Sequence, residues 1–247
     1  MDYPGVTEYL VKWLQDKAIS AGAKGYCVGI SGGIDSAVSA ALCKRAFPHA
    51  TLGLLLPCNG SQEDLEDGLL LANSLELKYK IIDLNITYES FLQAFQTSCD
   101  KSEECRMAYA NVKPRLRMAA LYFAAGQRNY LVVGTGNKAE IEIGYYTKFG
   151  DGGVDLEPIG DLTKTEVWEL ASFLGIPNKL ISKVPTAGLW EAQTDEQEMG
   201  FSYRTLDAYL TGAEIDQVSK AKIELLHQYS EHKRNLPEVP ILAKFRA

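Results

Sequence analysis

Long apolar runs are missing from this 247-residue chain. No stretch approaches the roughly 20 residues needed to cross a bilayer, and charges spread over residues 1–15 leave no apolar centre for a secretory leader. A cytoplasmic protein without a membrane partner is expected. Paired cysteines are missing too. The five, Cys27, Cys43, Cys58, Cys99 and Cys105, are odd in number and form no C-x-x-C pair, which excludes the common zinc and dithiol sites. Cys27 and Cys43 stand in apolar runs and read as small buried hydrophobes; free thiols are expected, Cys99 and Cys105 included, in a reducing compartment. Positive charge is in deficit, with 25 Lys and Arg against 32 Asp and Glu and a net charge of −7. No overall basic field exists for a nucleic-acid backbone, so no nucleic-acid partner is expected. Low-complexity tracts and solenoid repeats are absent as well.

What remains is the composition of an ordinary globular protein, 46% hydrophobic and 23% charged. Apolar spacing predicts a helix over residues 3–17, with Val6, Tyr9, Leu10, Trp13 and Leu14 on its inner face. Short apolar runs at 26–30, 51–56, 80–84 and 130–133 read as strands. Helical patterns at 36–47, 61–75, 88–96 and 111–125 separate them, the last with Pro114 in its first turn. Residues 98–106 read as a polar loop. Thr163-x-x-Glu166 looks like a capping box opening a helix to Leu174, and 216–229 reads as an amphipathic helix. Strands alternating with helices imply a parallel sheet covered on both faces. One domain over 1–247 is expected, with 178–247 as mostly helical decoration.

In such a fold ligands gather at the carboxyl ends of the strands. Ser31-Gly32-Gly33-Ile34-Asp35-Ser36 lies at such an end and opens a helix, whose amino terminus offers unpaired N–H groups and a partial positive charge. Glycines there allow close backbone approach to an anion, and Ser31 and Ser36 add hydroxyls. A Walker A loop would carry Lys before its Ser or Thr, whereas here Asp35 precedes Ser36. Neither this stretch nor Gly134-Thr135-Gly136 completes G-x-G-x-x-G. An acid beside bound phosphate calls for a divalent cation between them, which makes Asp35 a candidate Mg²⁺ ligand.

The motif SGGIDS resembles the pyrophosphate-binding loop of the N-type ATP pyrophosphatases, which cleave ATP between its α- and β-phosphates and adenylate a substrate. The loop alone leaves GMP, asparagine and argininosuccinate synthetases and tRNA-modifying enzymes open. The segment GTGNKAEIEIGYYTKFGDGGVDLEPIGDLTKTEV at 134–167 is similar to the matching part of the ammonia-dependent NAD⁺ synthetase family. PTAGLWEAQTDEQEMGFSY at 185–203, HKR at 232–234 and NVKPRLRM at 111–118 extend that resemblance over nearly the whole chain.

The resemblance implies a doubly wound, parallel, five-stranded α/β sheet of the adenine nucleotide α hydrolase-like, Rossmann-like kind, with a helical C-terminal extension. It implies ATP contacts from Gly29, Ile30, Ser31, Gly32, Gly33, Ile34, Asp35, Ser36, Thr135, Lys164 and Thr186, and Mg²⁺ on Asp35 and Glu140. Arg115, Lys148, Asp155, His232 and Lys233 would contact nicotinic acid adenine dinucleotide, and one Arg, two Lys and a His suit its carboxylate and diphosphate. The family motif usually reads Asn-x-Gln-Ala-Arg, whereas Lys113 and Pro114 stand before Arg115 here. The implied reaction joins ATP, the dinucleotide and ammonia through an acyl adenylate, with no protein nucleophile. The length leaves no room for a glutaminase domain, so free ammonia is the expected donor. A homodimer with the dinucleotide at the interface is also implied. A GMP synthetase-like enzyme would share the loop but lack the 145–155 run; a non-catalytic nucleotide-binding module would bind ATP without releasing pyrophosphate.

Overall fold

The computed structural model describes residues 1–95, 105–186, 188 and 194–242. Expectations placed on Cys99, and most of those on the 98–106 and 187–193 segments, fall outside them. Among the described residues, four parallel strands lie in the order β3-β2-β1-β4: β1 (Tyr26–Gly29), β2 (Thr51–Leu55), β3 (Lys78–Ile81) and β4 (Leu131–Val133). Side chains alternate between the two faces as strand geometry requires. Tyr26, Val28, Leu55 and Val133 join one core, whereas Cys27, Leu52, Leu54 and Val132 join the other. The first core is closed by α1 (Tyr3–Ser20), α2 (Ile34–Ala46), α3 (Gln62–Ser74) and α8 (Lys164–Leu174), with Ala37, Ala40 and Ala41 fully enclosed. The second is closed by α4 (Asn85–Gln93) and α6 (Val112–Gly126). Cys27, Cys43 and Cys58 are buried, and all described cysteines are free thiols.

Two strand expectations need correction. The third strand sits at Lys78–Ile81 rather than 80–84, because its register pairs Leu52 with Lys78 and Leu55 with Ile81, and Pro57 ends the partner strand. The expected fifth strand is reduced to a single bridge between Val133 and Leu156. Asp155 explains why: its side chain accepts from the Val132 N–H at 2.7 Å, taking the place of a ladder carbonyl, and Pro158 has no N–H with which to continue.

Apart from α5, the remaining helices follow β4 in the chain. Arg106 opens α5 (Arg106–Ala110) and Pro114 occupies the first turn of α6, as its spacing predicts. The capping box at Thr163 forms both of its bonds. α7 (Lys138–Ile143), α11 (Tyr203–Leu210) and α12 (Gln217–Tyr229) enclose a third cluster around Tyr203, Leu206 and Ile223. This is the helical C-terminal region that residues 178–247 suggested. α9 (Asn178–Ile181), α10 (Asp195–Met199) and α13 (Glu231–Arg234) are short.

Candidate active site

The chain leaves β1 toward β2 on one side and reaches β4 on the other, so the loops after β1 and β4 diverge over a topological switch point. A cavity of about 660 Å³ opens there, lined by the loop after β1, the ends of β2 and β4, the start of α6, and residues from α7, α8 and α13.

The loop after β1 is braced by its own hydroxyls. Ser31 Oγ accepts from the Gly33 N–H at 3.2 Å, and Ser36 Oγ donates to the Gly33 carbonyl at 2.9 Å and accepts from the Ser31 N–H at 3.3 Å. No side chain caps α2, whose first N–H groups are left for an anion. Gly32 has φ +78°, and a β-carbon there would lie 2.7 Å from Asp67 Cβ and 2.9 Å from the Asp64 carbonyl oxygen. Only glycine fits between this loop and α3. Gly29, Ile30, Ser31, Gly33, Ile34, Asp35 and Ser36 line the cavity, as do Thr135 and Thr186, whereas Gly32 backs onto α3.

Beneath the loop lies a charged cluster. Lys164, at the start of α8 and only 1% exposed, holds Asp35 Oδ2 at 2.5 Å and stands 3.7 Å from Glu140 Oε1. Burial alone would lower the Lys164 ammonium, but the two carboxylates outweigh it and hold its pKa above the usual lysine value. Glu140 is pushed up, first by burial and then by the Asp35 carboxylate. Asn137 positions both acids. Its Nδ2 donates to Asp35 Oδ1 at 2.9 Å, while its Oδ1 caps the Glu140 N–H at 3.1 Å and Glu140 returns a bond to the Asn137 N–H. Asp207 anchors the other end by accepting from the Lys164 and Thr165 N–H groups. Tyr203 donates to Asp195 at 2.9 Å and lies 3.3 Å from Glu140, with its ring 4.8 Å from the Lys164 ammonium.

The residues expected for the acceptor divide. Arg115, Lys148, His232 and Lys233 line the cavity. Arg115 donates to the Lys148 carbonyl, Lys148 reaches the His232 carbonyl, and Lys233 donates to the Gly144 and Tyr146 carbonyls at 2.6 and 2.7 Å. Arg234 completes the HKR run but serves packing: it donates to the Ile141 and Glu142 carbonyls and to Ser230, fastening α13 to the end of α7. Asp155 stands apart from the cavity lining, bonded to Val132 and to the Tyr122 hydroxyl at 3.0 Å.

Several residues join the site without having been singled out in the sequence. Lys183, which precedes Thr186, bridges Asp64 at 2.9 Å and the buried Asp67 at 2.6 Å, and Lys179 also reaches Asp67 at 2.6 Å. Burial would raise the Asp67 carboxyl, but the two lysines outweigh it and hold it below the usual carboxylate range. The segment leading to Thr186 is thereby tied to the helix that backs the phosphate loop. Arg117, Asp151, Asp195 and Glu198 are among the other additions to the lining. Asn137-x-x-Glu140 repeats the capping pattern visible at Thr163, a signal that could have found it; Lys183 and Asp67 offer none.

Comparisons with known proteins agree with one another. Residues 6–237 match the family model for NAD synthase. An NH(3)-dependent NAD(+) synthetase of Carboxydothermus hydrogenoformans is 51% identical over 96% of this chain and 97% of its own length. Among solved structures, NMN synthetase from Francisella tularensis superposes with a TM-score of 0.92 at 37% identity, covering 97% of this chain and 99% of that one. NH3-dependent NAD synthetase from Campylobacter jejuni superposes with a TM-score of 0.81 at 32% identity, over 98% and 100% of the two chains.

Proposed function

This chain belongs to the NAD synthase family, and from that premise we propose that the cavity over the β1–β4 switch point is where a nicotinate carboxylate is adenylated and passed to ammonia. The reaction is the ATP-dependent amidation of nicotinic acid adenine dinucleotide, which yields NAD⁺, AMP and pyrophosphate and completes NAD⁺ synthesis. A carboxylate oxygen bonds to the α-phosphorus of ATP as the bond to the bridging oxygen of pyrophosphate breaks. Ammonia then adds to the acyl carbon, AMP departs with the electron pair of the ester bond, and the added nitrogen loses a proton. Adenylation is needed because a carboxylate has no acceptable leaving group of its own.

The roles follow from position. The N–H groups opening α2 and the Ser31 and Ser36 hydroxyls receive the departing pyrophosphate, and Thr135 and Thr186 flank the nucleotide. Lys164 supplies positive charge below the phosphates. Mg²⁺ suits Asp35 and Glu140: both are hard oxygen ligands, and Glu140, pushed up first by burial and then by the Asp35 carboxylate, would be held ionised by a further cation. Those two residues would hold it, and when bound it supplies charge neutralisation for the leaving pyrophosphate. Arg115, Lys148, His232 and Lys233 receive the anionic acceptor. No protein nucleophile takes part; alignment and charge carry the rate.

The whole chain acts as one catalytic unit, with 178–247 as its helical wall. A homodimer is supported by the exposed Phe123 and Ile86 on α6 and α4, which are 70% and 78% accessible. Asp155, beside Tyr122 on that same helix, would serve the dinucleotide of the partner subunit rather than its own cavity. Among the described residues no helix is long and apolar enough to cross a membrane, and a cytoplasmic location fits the soluble substrates.

The observation that carries this reading is the Asp35–Lys164–Glu140 cluster beneath an uncapped helix start. It is tested by pyrophosphate release from Mg²⁺-ATP and the dinucleotide, with and without ammonium, following the product by mass. Amide made only with ammonium and abolished in Asp35→Ala is expected; no acceptor-dependent pyrophosphate would sink it. The TM-score of 0.92 to an NMN synthetase favours a second reading, in which a mononucleotide is the acceptor. The same assay with nicotinic acid mononucleotide separates the two by kcat/KM.

A further inference from the structure

The cations of the cavity fall into two sets. Lys164 and Lys183 are each neutralised by carboxylates. Arg115, Arg117, Lys148 and Lys233 form no ion pair among the described residues and hold backbone carbonyls instead. Three of these four are the residues already assigned to the anionic acceptor. The fourth, Arg117, shares their pattern and has no assigned role.

Arg117 lies on α6, half-buried in the cavity wall. Its Nε donates to the Leu56 carbonyl at 3.1 Å, at the end of β2. Its two terminal nitrogens donate to nothing among the described residues. A guanidinium cannot shed its charge, and this half-buried one leaves most of its five N–H groups without a protein partner and open to the cavity. Burial does pull its pKa below the usual arginine value. Asp64 and Asp151 exert attraction from the cavity's flanks without reaching it. The Leu56 bond tethers the group at Nε and leaves the Nη pair available at the cavity wall as a fork. Such forks match planar oxyanions in bidentate geometry, which a lysine cannot reproduce. Arg115, two positions earlier, is exposed and spent on the Lys148 carbonyl, so the two arginines of the NVKPRLRM stretch face different tasks.

We propose that Arg117 contacts substrate, its terminal nitrogens forking onto an oxyanion that is either the acceptor carboxylate or a phosphate of ATP. The proposal rests on the cavity being the site of the amidation described above. Its test uses the full chain with Arg117→Met and Arg117→Lys, measuring KM for ATP and for the dinucleotide separately, together with ligand-free thermal stability. Arg117→Met removes a half-buried, unpaired charge and one hydrogen bond to Leu56, so its ligand-free melting temperature should stay within a few degrees of the wild type, while KM for one substrate rises at least tenfold. A rise confined to the dinucleotide assigns the carboxylate; one confined to ATP assigns the phosphate. Arg117→Lys keeps the charge and can keep the Leu56 bond but loses the fork, and should show the same selective rise. This variant decides the matter should Arg117→Met fail to fold. Both KM values within twofold of wild type in Arg117→Lys, or a melting temperature several degrees lower with KM unchanged, would overturn the proposal and leave Arg117 a brace for β2. Failure of the wild type to release acceptor-dependent pyrophosphate would instead refute the proposed reaction itself.

Discussion

Replacing Lys164 with Met tests the charged cluster most directly. Methionine fills the same slot, so the change isolates the ammonium from the packing of the stem. The ammonium is 1% exposed, 2.5 Å from Asp35 and 3.7 Å from Glu140; without it, two carboxylates face each other in a low-dielectric pocket. Removing one partner of a buried ion pair costs roughly 3–5 kcal/mol. In a chain of this size that lowers the melting temperature by roughly 6–20 °C.

The cost also depends on pH in a stated direction. Glu140 is already raised by burial and by Asp35, and losing Lys164 raises it further. Above about pH 4.3 the unfolded state has released that proton while the folded state still holds it. The unfolded state then binds fewer protons, and stability falls as pH rises. Thermal melts at pH 5.5 and pH 8 should show the larger deficit at pH 8. Pairing the change with Asp35→Asn should recover part of the loss, because fewer buried charges then lack a partner. Pyrophosphate release by Lys164→Met should fall about 100-fold or more, as expected for a lost charge donor at the reacting phosphates. A deficit below about 2 °C, corresponding to less than ~1 kcal/mol at this size, or one equal at both pH values, would refute the reasoning.

Two further outcomes follow from the surroundings of the phosphate loop. Gly32→Ala forces an L-residue to φ +78° at a cost of roughly 1–2 kcal/mol and drives its β-carbon against α3; urea unfolding should show that loss, and KM for ATP should rise at least tenfold. Asp67→Asn should cost roughly 3 kcal/mol near neutral pH, since Lys183 and Lys179 lose their buried partner. Because Asp67 is held below its unfolded value of about 3.9, its contribution is present above that pH and lost as pH falls through the folded value. The gap between wild type and Asp67→Asn in acid unfolding should therefore close below about pH 4; a constant gap would contradict the ion-pair account.

How far the sequence discloses this site depends on how local each device is. The phosphate loop is legible because its glycines, hydroxyls and acid stand within six consecutive residues, and the capping box at Thr163 because its two partners lie three apart. Strand and helix order follow from apolar period alone. Contacts across the fold leave no such mark. Lys183 meets Asp67 from 116 positions away, and Lys164 meets Asp35 from 129, so only resemblance could have suggested the second and nothing suggested the first. The fifth strand failed for a related reason: whether Leu156 extends a ladder depends on where the Asp155 side chain turns, and it turns to the Val132 N–H. Arg117 is the sharpest case. In sequence it is one of two arginines in a single motif, indistinguishable from Arg115 by type or by charge. Only their partners separate them, because Arg115 faces a loop carbonyl at the exposed rim while Arg117 reaches the end of β2 with its fork unmatched. Residue type tells what chemistry is available; the pattern of satisfied and unsatisfied donors tells where a ligand is still required.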